Sequence, residues 1–484
     1  MTDLFIKNGI VLTLNETREV LDDGGVVITD NEIEAVGPVD QLEAEYDADR
    51  TIDASGHAVL PGFIDAHVHV SDILVRGTGT SRELYDWIQN VKRPAVNEMT
   101  DNDHEIAAAL FSQEAIQSGI TTFVENASGA ADGYPESVIE RKFAAYEAAG
   151  MRNVYAYAFA DTEPGPEHAT FMEHFRRKEP EVNHVSPSET QTDTDEILAD
   201  IESLIRTYHG SAEGRQSVWP APYWTEIVTP EALLGAYELA EKYDVMTTTH
   251  TAESVDDEAR RAQSSIEYLD NVGYLGERTL LGHCVVLSER DIRKLALTDT
   301  KIANNLKTNL ALGDGIAPVP QLINYGVTVA VATDNTTANN AANMLSNMEY
   351  ADLVQKGHHQ DATIMTAEKV IEMATIDAAR AIGRADELGS IEPGKLADLV
   401  VIDLDYPHLT PNLHTPSTIV YQSQGFEVDT VVCNGEIILE DRTVHGIDEE
   451  YPTLRTDAAA AAEAVSERAG LTSIQQRPWQ SRYK

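Results

Sequence analysis

The sequence has few of the features that mark secreted or membrane-spanning proteins. Only two cysteines occur, Cys284 and Cys433, which are too few for a disulfide framework and lack the spacing of a zinc finger. No apolar run is long enough to span a bilayer, and the first residues, MTDLFIKNGIVLTLNE, lack the basic and apolar regions of a signal peptide. We therefore expect a cytoplasmic protein with no membrane partner.

Basic residues are also scarce. The chain has 35 Lys and Arg against 81 Asp and Glu, which gives a formal net charge of -46. Without a basic patch to release counterions, a nucleic-acid partner is not expected. The acidic residues are spread along the whole chain, and such a surface repels itself unless salt screens it. We interpret this as adaptation to a salt-rich cytoplasm, with an ordinary acidic protein as the alternative.

The middle of the chain alternates apolar strand candidates with helical stretches, which is typical of a parallel sheet covered by helices. At 484 residues, the chain is long enough for one large barrel and a smaller domain. Eight strand candidates predict a (β/α)8 barrel, in which chemistry takes place at the C-terminal ends of the strands. In chain order they read HAVLPGFIDAH, GITTFVEN, RNVYAYAFA, QSVWPAPY, DVMTTTH, RTLLGHCVV, KIANNL and GVTVAVATD.

Both ends of the chain have a different pattern, with short β-segments and turn signals. Asn8-Gly9, Asp30-Asn31 and Asn434-Gly435 are the predicted turns. We predict that both ends form one small β-sandwich from residues 1–60 and 386–445, around a barrel over residues 61–385. Residues 446–484 are predicted to hold an alanine-rich helix and a polar tail.

Ligand-type residues occupy several of the predicted strand ends. His67 and His69 are two residues apart, so on an extended chain they face the same way with Cα atoms about 6.6 Å apart, a spacing that can grip one divalent ion. His250, His283 and Asp334 each end a nearly continuous apolar run. A single histidine of this kind is more often a core residue, but ligand-type residues at four strand ends favour a metal site.

These segments resemble the amidohydrolase superfamily, in its branch of deaminases and chlorohydrolases of N-heteroaromatic rings. The motifs are LPGFIDAHVHV, HTAES, LLGHCV and GVTVAVATDN, and the resemblance extends over nearly the whole chain. RELYDWIQNV and GRQSVWPAP are most similar to the s-triazine chlorohydrolases and melamine deaminases. The resemblance implies one divalent metal ion, Zn²⁺ or Fe²⁺, on His67, His69, His250 and Asp334. It places His283 on the metal or one hydrogen bond away, and it implies a homo-oligomer.

The resemblance and the residue types together imply the catalytic roles. A divalent ion makes water nucleophilic near neutral pH, and Asp334 is expected to accept the proton of that water. Glu253, three residues after His250, is expected to protonate the ring nitrogen, while His283 stabilises the tetrahedral centre. No lysine lies between Lys178 and Lys242 to bridge a second metal, so a single metal is expected.

The predicted substrate contacts lie in the loops that follow the strands. They are Asp72, Leu84, Trp87, Asn126, Asn335 and Ala338. WPAPY stands where nucleoside deaminases of this branch have a histidine, which makes a nucleoside less expected, and Ala338 lacks the hydroxyl found in the dechlorinating relatives. We therefore expect deamination of a triazine, pyrimidine or purine base. The alternatives are s-triazine dechlorination, removal of an alkylamine, and a catalytically silent scaffold.

Overall fold

The structure is a computed structural model that describes residues 2–128, 133–161, 193–258 and 263–475. Eighteen strands are numbered in chain order: β1 Thr2–Leu12, β2 Val20–Thr29, β3 Glu32–Pro38, β4 Ala48–Asp53, β5 His57–Pro61, β6 Phe63–His69, β7 Ile120–Ala127, β8 Arg152–Phe159, β9 Gln216–Pro222, β10 Thr247–Thr251, β11 Thr279–His283, β12 Lys301–Asn304, β13 Val329–Val331, β14 Asp334–Asn335, β15 Leu399–Asp403, β16 Val428–Cys433, β17 Glu436–Glu440 and β18 Thr443–Val444.

Helices connect most of these strands. The α-helices are Val39–Glu45, Leu84–Trp87, Arg93–Asn97, Asp101–Gln117, Glu136–Ala148, Thr194–Tyr208, Pro230–Tyr243, Val255–Glu258, Ser265–Val272, Glu289–Thr298, Leu306–Leu312, Val319–Asn324, Met344–His359, Ala367–Ala374, Ile376–Ala381, Thr415–Gln422, His445–Glu450, Leu454–Arg468 and Thr472–Gln475. Two 3-10 turns (Ser71–Val75, Thr225–Ile227), a π-helical turn (Ile88–Lys92) and a left-handed turn (Ser211–Gly214) complete the elements. None of the helices described is both long and apolar enough to cross a bilayer.

The middle of the chain forms two parallel sheets. One has the order β14-β6-β7-β8-β9 and the other β10-β11-β12-β13. Their strands are buried on both faces, as the apolar runs predict for parallel strands covered by helices. Each of the eight predicted strands is present, so the α/β class with parallel strands is confirmed.

The two ends of the chain meet in one mixed sheet. Its order is β18-β17-β16-β15-β5-β1-β2-β3, with β4 also paired to β1. We call it the terminal sheet. A buried ion pair joins it to the parallel sheets, because Arg152 at the start of β8 lies 3.2 Å from the Asp398 carboxylate just before β15. The backbone N–H of Asn434 donates to the same carboxylate at 2.8 Å.

The first predicted strand is divided between the two kinds of sheet. β5 pairs with β1 and β15 in the terminal sheet, whereas β6 pairs with β7 and β14. Gly62 separates them and packs so closely on Thr121 that a Cβ there would lie 2.4 Å from the threonine side chain. One short run of chain thus connects the terminal sheet directly to His67 and His69.

The predicted turns have mixed outcomes. Asp30-Asn31 and Asn434-Gly435 do connect neighbouring antiparallel strands. Asn8-Gly9 is wrong as a turn, because it lies inside β1 as an irregularity in the pairing with β2, with Asn8 at a φ of 65°. The alanine-rich helix is present as Leu454–Arg468, and residues 476–484 of the predicted tail lie outside the described residues.

Candidate metal centre and active site

The structure brings together all five residues predicted at the strand ends. His67 and His69 come from β6, His250 from β10, His283 from β11 and Asp334 from β14. All five are buried, with side chains at most a few per cent exposed. β14 pairs with β6 in register, Asp334 opposite Val68 and Asn335 opposite His69, and this pairing sets the carboxylate beside the two histidines.

Two of the imidazoles face one another through nitrogens that carry no proton. His69 Nδ1 donates to the Asn126 carbonyl at 2.7 Å, and His250 Nδ1 donates to the Tyr223 carbonyl at 2.6 Å. Burial lowers the pKa of both histidines, that of His250 to about 3, so each ring is neutral and its only proton is on Nδ1. Their Nε2 atoms lie 3.1 Å apart as two acceptors. A cation that both nitrogens bind removes this repulsion.

Asp334 and His67 supply further unpaired ligand atoms. Both carboxylate oxygens of Asp334 and Nε2 of His67 are buried without a hydrogen-bond partner. Asp334 Oδ1 lies 3.5 Å from His69 Nε2 and 3.7 Å from His67 Nε2. Burial raises the pKa of Asp334 to about 7, although the Lys92 ammonium acts against this rise. Three neutral imidazoles and a buried carboxylate without a hydrogen-bond partner fit a divalent metal ion.

His283 and Glu253 form the other side of the centre. His283 Nδ1 lies 3.4 Å from Glu253 Oε1, and Nδ1 and Nε2 of His283 lie 3.0 and 3.2 Å from the amides of Asn309 and Asn305. The pKa of Glu253 is raised well above its ordinary value by burial, and then by nearby Asp314 and Asp257. A carboxyl held in its protonated form beside the metal ligands can donate a proton to a bound molecule.

Strained backbone coincides with these residues. Ala252, His283 and Asp334 have φ values of 48°, 70° and 60°, in the left-handed region that costs a residue with a Cβ of order 1–3 kcal/mol. Ala252 directly follows β10, His283 ends β11 and Asp334 begins β14. Left-handed backbone therefore occurs in three of the segments that carry residues of this site.

A small cavity opens on the centre. The empty space within it is about 320 Å³, a figure that includes open solvent at its mouth. Of the predicted substrate contacts, Leu84, Trp87 and Asn335 line it, together with Ile88, Lys92, Tyr223 and Trp224, as well as His69, His250, Glu253, His283 and Asp334. Apolar and aromatic walls with a few convergent polar groups are typical of a small-molecule site.

The other three predicted contacts lie just outside this wall. Asn126 contacts the histidines, because its side-chain amide lies 3.0 Å from His67 Nδ1 in addition to the carbonyl bond to His69. Asp72 is buried 3.8 Å from Lys92. Ala338 packs in an apolar cluster with Leu84 and Trp87 behind the cavity.

The segment after Asp334 is a tight turn held by its own side chains. The amide oxygen of Asn335 accepts from the Ala338 backbone N–H at 2.8 Å and from the Thr337 hydroxyl at 3.0 Å. The Trp87 indole N–H donates to that hydroxyl at 2.9 Å. The residues that follow Asp334 therefore fix both Asn335 and the aromatic wall.

Sequence reasoning missed three groups of this site. Lys92 lies on a stretch whose alternating polar residues look like a helix surface. Tyr223 acts through its main-chain carbonyl, which no side-chain pattern reveals. Asp257 accepts hydrogen bonds from the backbone N–H groups of Glu253 and Ser254 at 3.1 and 3.0 Å. This role was not predicted from the sequence, although an acid four residues after Glu253 was a signal for such a capping bond.

Comparison with known proteins gives a consistent result. Residues 58–438 match the amidohydrolase family. The chain is 33% identical to an S-triazine hydrolase of Gordonia rubripertincta over 99% of both chains. It is 34% identical to a 5-methylthioadenosine/S-adenosylhomocysteine deaminase of Syntrophobacter fumaroxidans over 91% of this chain and 93% of that one. A solved adenosine deaminase of Xanthomonas campestris with bound zinc superposes with a TM-score of 0.84 at 25% identity, covering 96% of this chain and 99% of the other.

Proposed function

This chain belongs to the amidohydrolase family, and we propose that it is a metal-dependent aminohydrolase of N-heteroaromatic rings. It replaces an amino group on a ring carbon with the oxygen of water and releases ammonia. The observation that carries this function is the pair of unprotonated Nε2 atoms of His69 and His250, which face each other beside the unpaired Asp334 carboxylate. Relatives named as deaminases, similar over nearly their whole length, support the reaction.

The proposed architecture is a (β/α)8 barrel over residues 61–385 with a small β-sandwich from residues 1–60 and 386–445. Contact between the two parallel sheets supports a closed barrel. The His250 N–H in β10 donates to the Tyr223 carbonyl just after β9 at 3.3 Å, and the Thr333 N–H just after β13 donates to the Asp65 carboxylate in β6 at 2.9 Å. The terminal sheet supports the second domain, since it draws its strands from both chain ends.

The proposed ligands are His67, His69, His250 and Asp334, with His283 bound to the ion or one hydrogen bond away. The unpaired atoms of His67 and Asp334 support this set. Three imidazoles and a carboxylate suit either Zn²⁺ or Fe²⁺. When bound, such an ion lowers the pKa of water and so supplies the nucleophile near neutral pH.

The side chains of the protein then move the protons. Asp334 accepts one proton from the attacking water, and Glu253 donates one to the ring nitrogen next to the attacked carbon. His283 hydrogen-bonds the new oxygen as the carbon becomes tetrahedral. The amino group takes the proton held by Asp334, and the carbon–nitrogen bond breaks so that ammonia leaves. The new hydroxyl returns its proton to Glu253, which leaves an oxo group on the ring carbon. The raised pKa of Glu253 supports its role, because it enters the reaction with a proton to give.

The walls of the cavity support a flat ring as substrate. Trp87, held by its bond to Thr337, presents an aromatic face that can stack on a heterocycle. The ring is a triazine, a pyrimidine or a purine base. The names of several relatives make a nucleoside a second possibility, although the strand four segment WPAPY differs from the histidine pattern of nucleoside deaminases.

Hydrolysis of chlorinated s-triazines is a second candidate activity. The S-triazine hydrolase relative favours it. Ala338 offers no hydroxyl near the turn of Asn335, which weakens any assistance to a departing chloride. We therefore favour ammonia over chloride or an alkylamine as the leaving group.

A substrate panel tests the function. Purified protein, with its metal content measured, is incubated with melamine, ammeline, guanine, isocytosine, adenosine and atrazine, and released ammonia and chloride are assayed. Ammonia from an aminated ring is the expected result, and chloride alone would support the second candidate. Metal-replete protein that releases neither product would exclude both activities for these rings and favour a silent scaffold.

We also propose that the protein is a homo-oligomer and that it works in a salt-rich cytoplasm. The net charge of -46 supports the salt dependence, because self-repulsion weakens as ions screen it. Thermal melts from low salt to molar KCl test it, and a melt that is equally sharp and high at low salt would contradict it. Sedimentation at high salt measures the subunit number.

A further inference from the structure

A buried lysine lines the proposed substrate cavity. Lys92 ends the π-helical turn Ile88–Lys92, and its side chain is only 6% exposed. π-Helical turns in longer helices are frequent at functional sites, because they turn one residue out of the regular repeat. A buried ammonium is costly unless it is paired, so its position in this wall calls for an explanation.

The protein does not fully pair this charge. The Asp72 carboxylate is 3.8 Å from Lys92 Nζ, beyond hydrogen-bond length, and Asp72 Oδ2 is itself buried without a hydrogen-bond partner. Nζ lies 5.3 Å from the ring centre of Trp87 and 5.9 Å from that of Tyr223. These contacts hold the ammonium at the aromatic wall, where a stacked ring would lie.

The ammonium has a buried anion beside it. Lysine is ordinarily charged near neutral pH, and the Asp72 carboxylate lies 3.8 Å from Lys92 Nζ. Burial acts to lower the pKa of Lys92, while the neighbouring Tyr223 and Asp72 side chains act to raise it. An ammonium has three donors and no acceptor, so it selects groups that accept a hydrogen bond and carry negative charge. A ring amino group is mainly a donor and gains little from it.

We propose that Lys92 binds an oxygen substituent on the substrate ring and makes the enzyme selective for rings that carry oxo groups as well as the amino group to be removed. The selectivity should be strongest when the ring has lost a proton and its oxygen is anionic. Lys92 is thus a specificity residue in the wall of the site, and this role rests on the proposed function of the same cavity. Rings that carry only amino or alkylamino groups are the disfavoured substrates.

Binding of a graded series of triazines tests the proposal. Melamine, ammeline, ammelide and cyanuric acid carry zero, one, two and three ring oxygens, and cyanuric acid has no amino group to lose. Dissociation constants are measured by calorimetry on the full-length protein at a pH where cyanuric acid is ionised. The proteins compared are the wild type, Lys92→Met, Lys92→Arg and the control Lys242→Met, which removes a lysine that is 55% exposed and does not line the cavity.

In Lys92→Met, affinity for ammelide and cyanurate should fall about 10- to 100-fold, the range expected for one hydrogen bond to a charged group, while affinity for melamine stays within about threefold. Lys92→Arg should recover part of the loss, and Lys242→Met should behave as the wild type. KM should follow the same order for any ring that is turned over.

Two results would overturn the proposal. One is an equal loss of affinity for all four rings in Lys92→Met, which would make the lysine a structural support of the wall. The other is an affinity for cyanurate that is the same in Lys92→Met as in the wild type. A wild type that binds no ring of the series would overturn the proposal in the same way. Cyanurate binding that depends on Lys92, without ammonia release from any ring of the series, would exclude deamination of these rings and leave only the oxygen-binding contact of Lys92 standing.

Discussion

Replacing Asp257 should test how Glu253 is positioned. Asp257 is buried, and its Oδ2 accepts from the backbone N–H groups of Glu253 at 3.1 Å and Ser254 at 3.0 Å. Its Oδ1 accepts from the Tyr85 hydroxyl at 2.6 Å. Because Ala252, just before Glu253, has left-handed backbone, the turn needs these bonds to hold its shape. Asp257→Leu removes both backbone acceptors, whereas Asp257→Asn can keep them.

The expected magnitude follows from the two lost bonds. A hydrogen bond to a charged group contributes about 1.5–3 kcal/mol, so Asp257→Leu should remove roughly 3–6 kcal/mol of restraint on the turn. General-acid catalysis raises kcat by a factor of about 10²–10⁴. If Glu253 moves from its position, much of this factor is lost, and we expect kcat to fall about 100-fold. Asp257→Asn should retain kcat within about tenfold.

The pH profile separates geometry from charge. Asp257 is one of the groups that raise the pKa of Glu253, after burial and Asp314. Asp257→Asn removes that negative charge, so the pKa of Glu253 should fall. Because Glu253 acts in its protonated form, the alkaline limit of activity should move to lower pH.

The assay is ammonia release over a range of pH, with metal content and a thermal melt measured on each sample. Asp257→Leu should keep its metal and lose at most a few degrees in Tm, since the damage is confined to one turn. If Asp257→Leu folds, binds metal and keeps kcat within about threefold of the wild type, the positioning argument is refuted. Equal losses in both variants would show that the charge matters and the backbone bonds do not.

Three further outcomes are expected. Glu253→Gln should lower kcat about 10²–10⁴-fold with metal content unchanged, while Glu368→Gln at an exposed site should match the wild type in the same assay. Removal of the metal by a chelator should lower Tm. Metal added back to a free concentration 100 times its Kd should raise the free energy of unfolding by about 2.7 kcal/mol. A Tm that does not respond to metal would argue against the site. Burial acts to raise the pKa of Asp398, but Arg152 and the Asn434 N–H hold it below its ordinary value, so this stability is present above about pH 4 and is lost as the pH falls through the lowered pKa. Arg152→Met should therefore cost about 3–5 kcal/mol at pH 7 by denaturant unfolding, and less in acid as Asp398 takes up a proton.

The strands and the proposed metal ligands could be predicted from sequence because both follow local patterns. Apolar runs that end in His250, His283 or Asp334 carry the strand and its chemistry in one stretch of chain. The division between β5 and β6 could not be read this way, since HAVLPGFIDAH is apolar throughout and its change of sheet depends on partners far along the chain.

The supporting contacts were less predictable because they depend on the fold. Lys92 looks like a surface lysine until its helix packs against the site, and only then is its ammonium buried. Asn126 is an apparent loop amide in the sequence, but in the structure its carbonyl fixes the protonation of His69. The carbonyl of Tyr223 does the same for His250, and main-chain groups leave no trace in residue types.

The short run from His57 to His69 has a consequence for cooperativity. Since β5 belongs to the terminal sheet and β6 carries two of the proposed ligands, with only Pro61-Gly62-Phe63 at the junction, local opening of either part disturbs the other. A ligand that binds only the closed form then protects both. Amide hydrogens in β1 and β15, remote from the histidines, should therefore exchange more slowly once metal is added. Exchange rates in the terminal sheet would then measure the metal occupancy of the site.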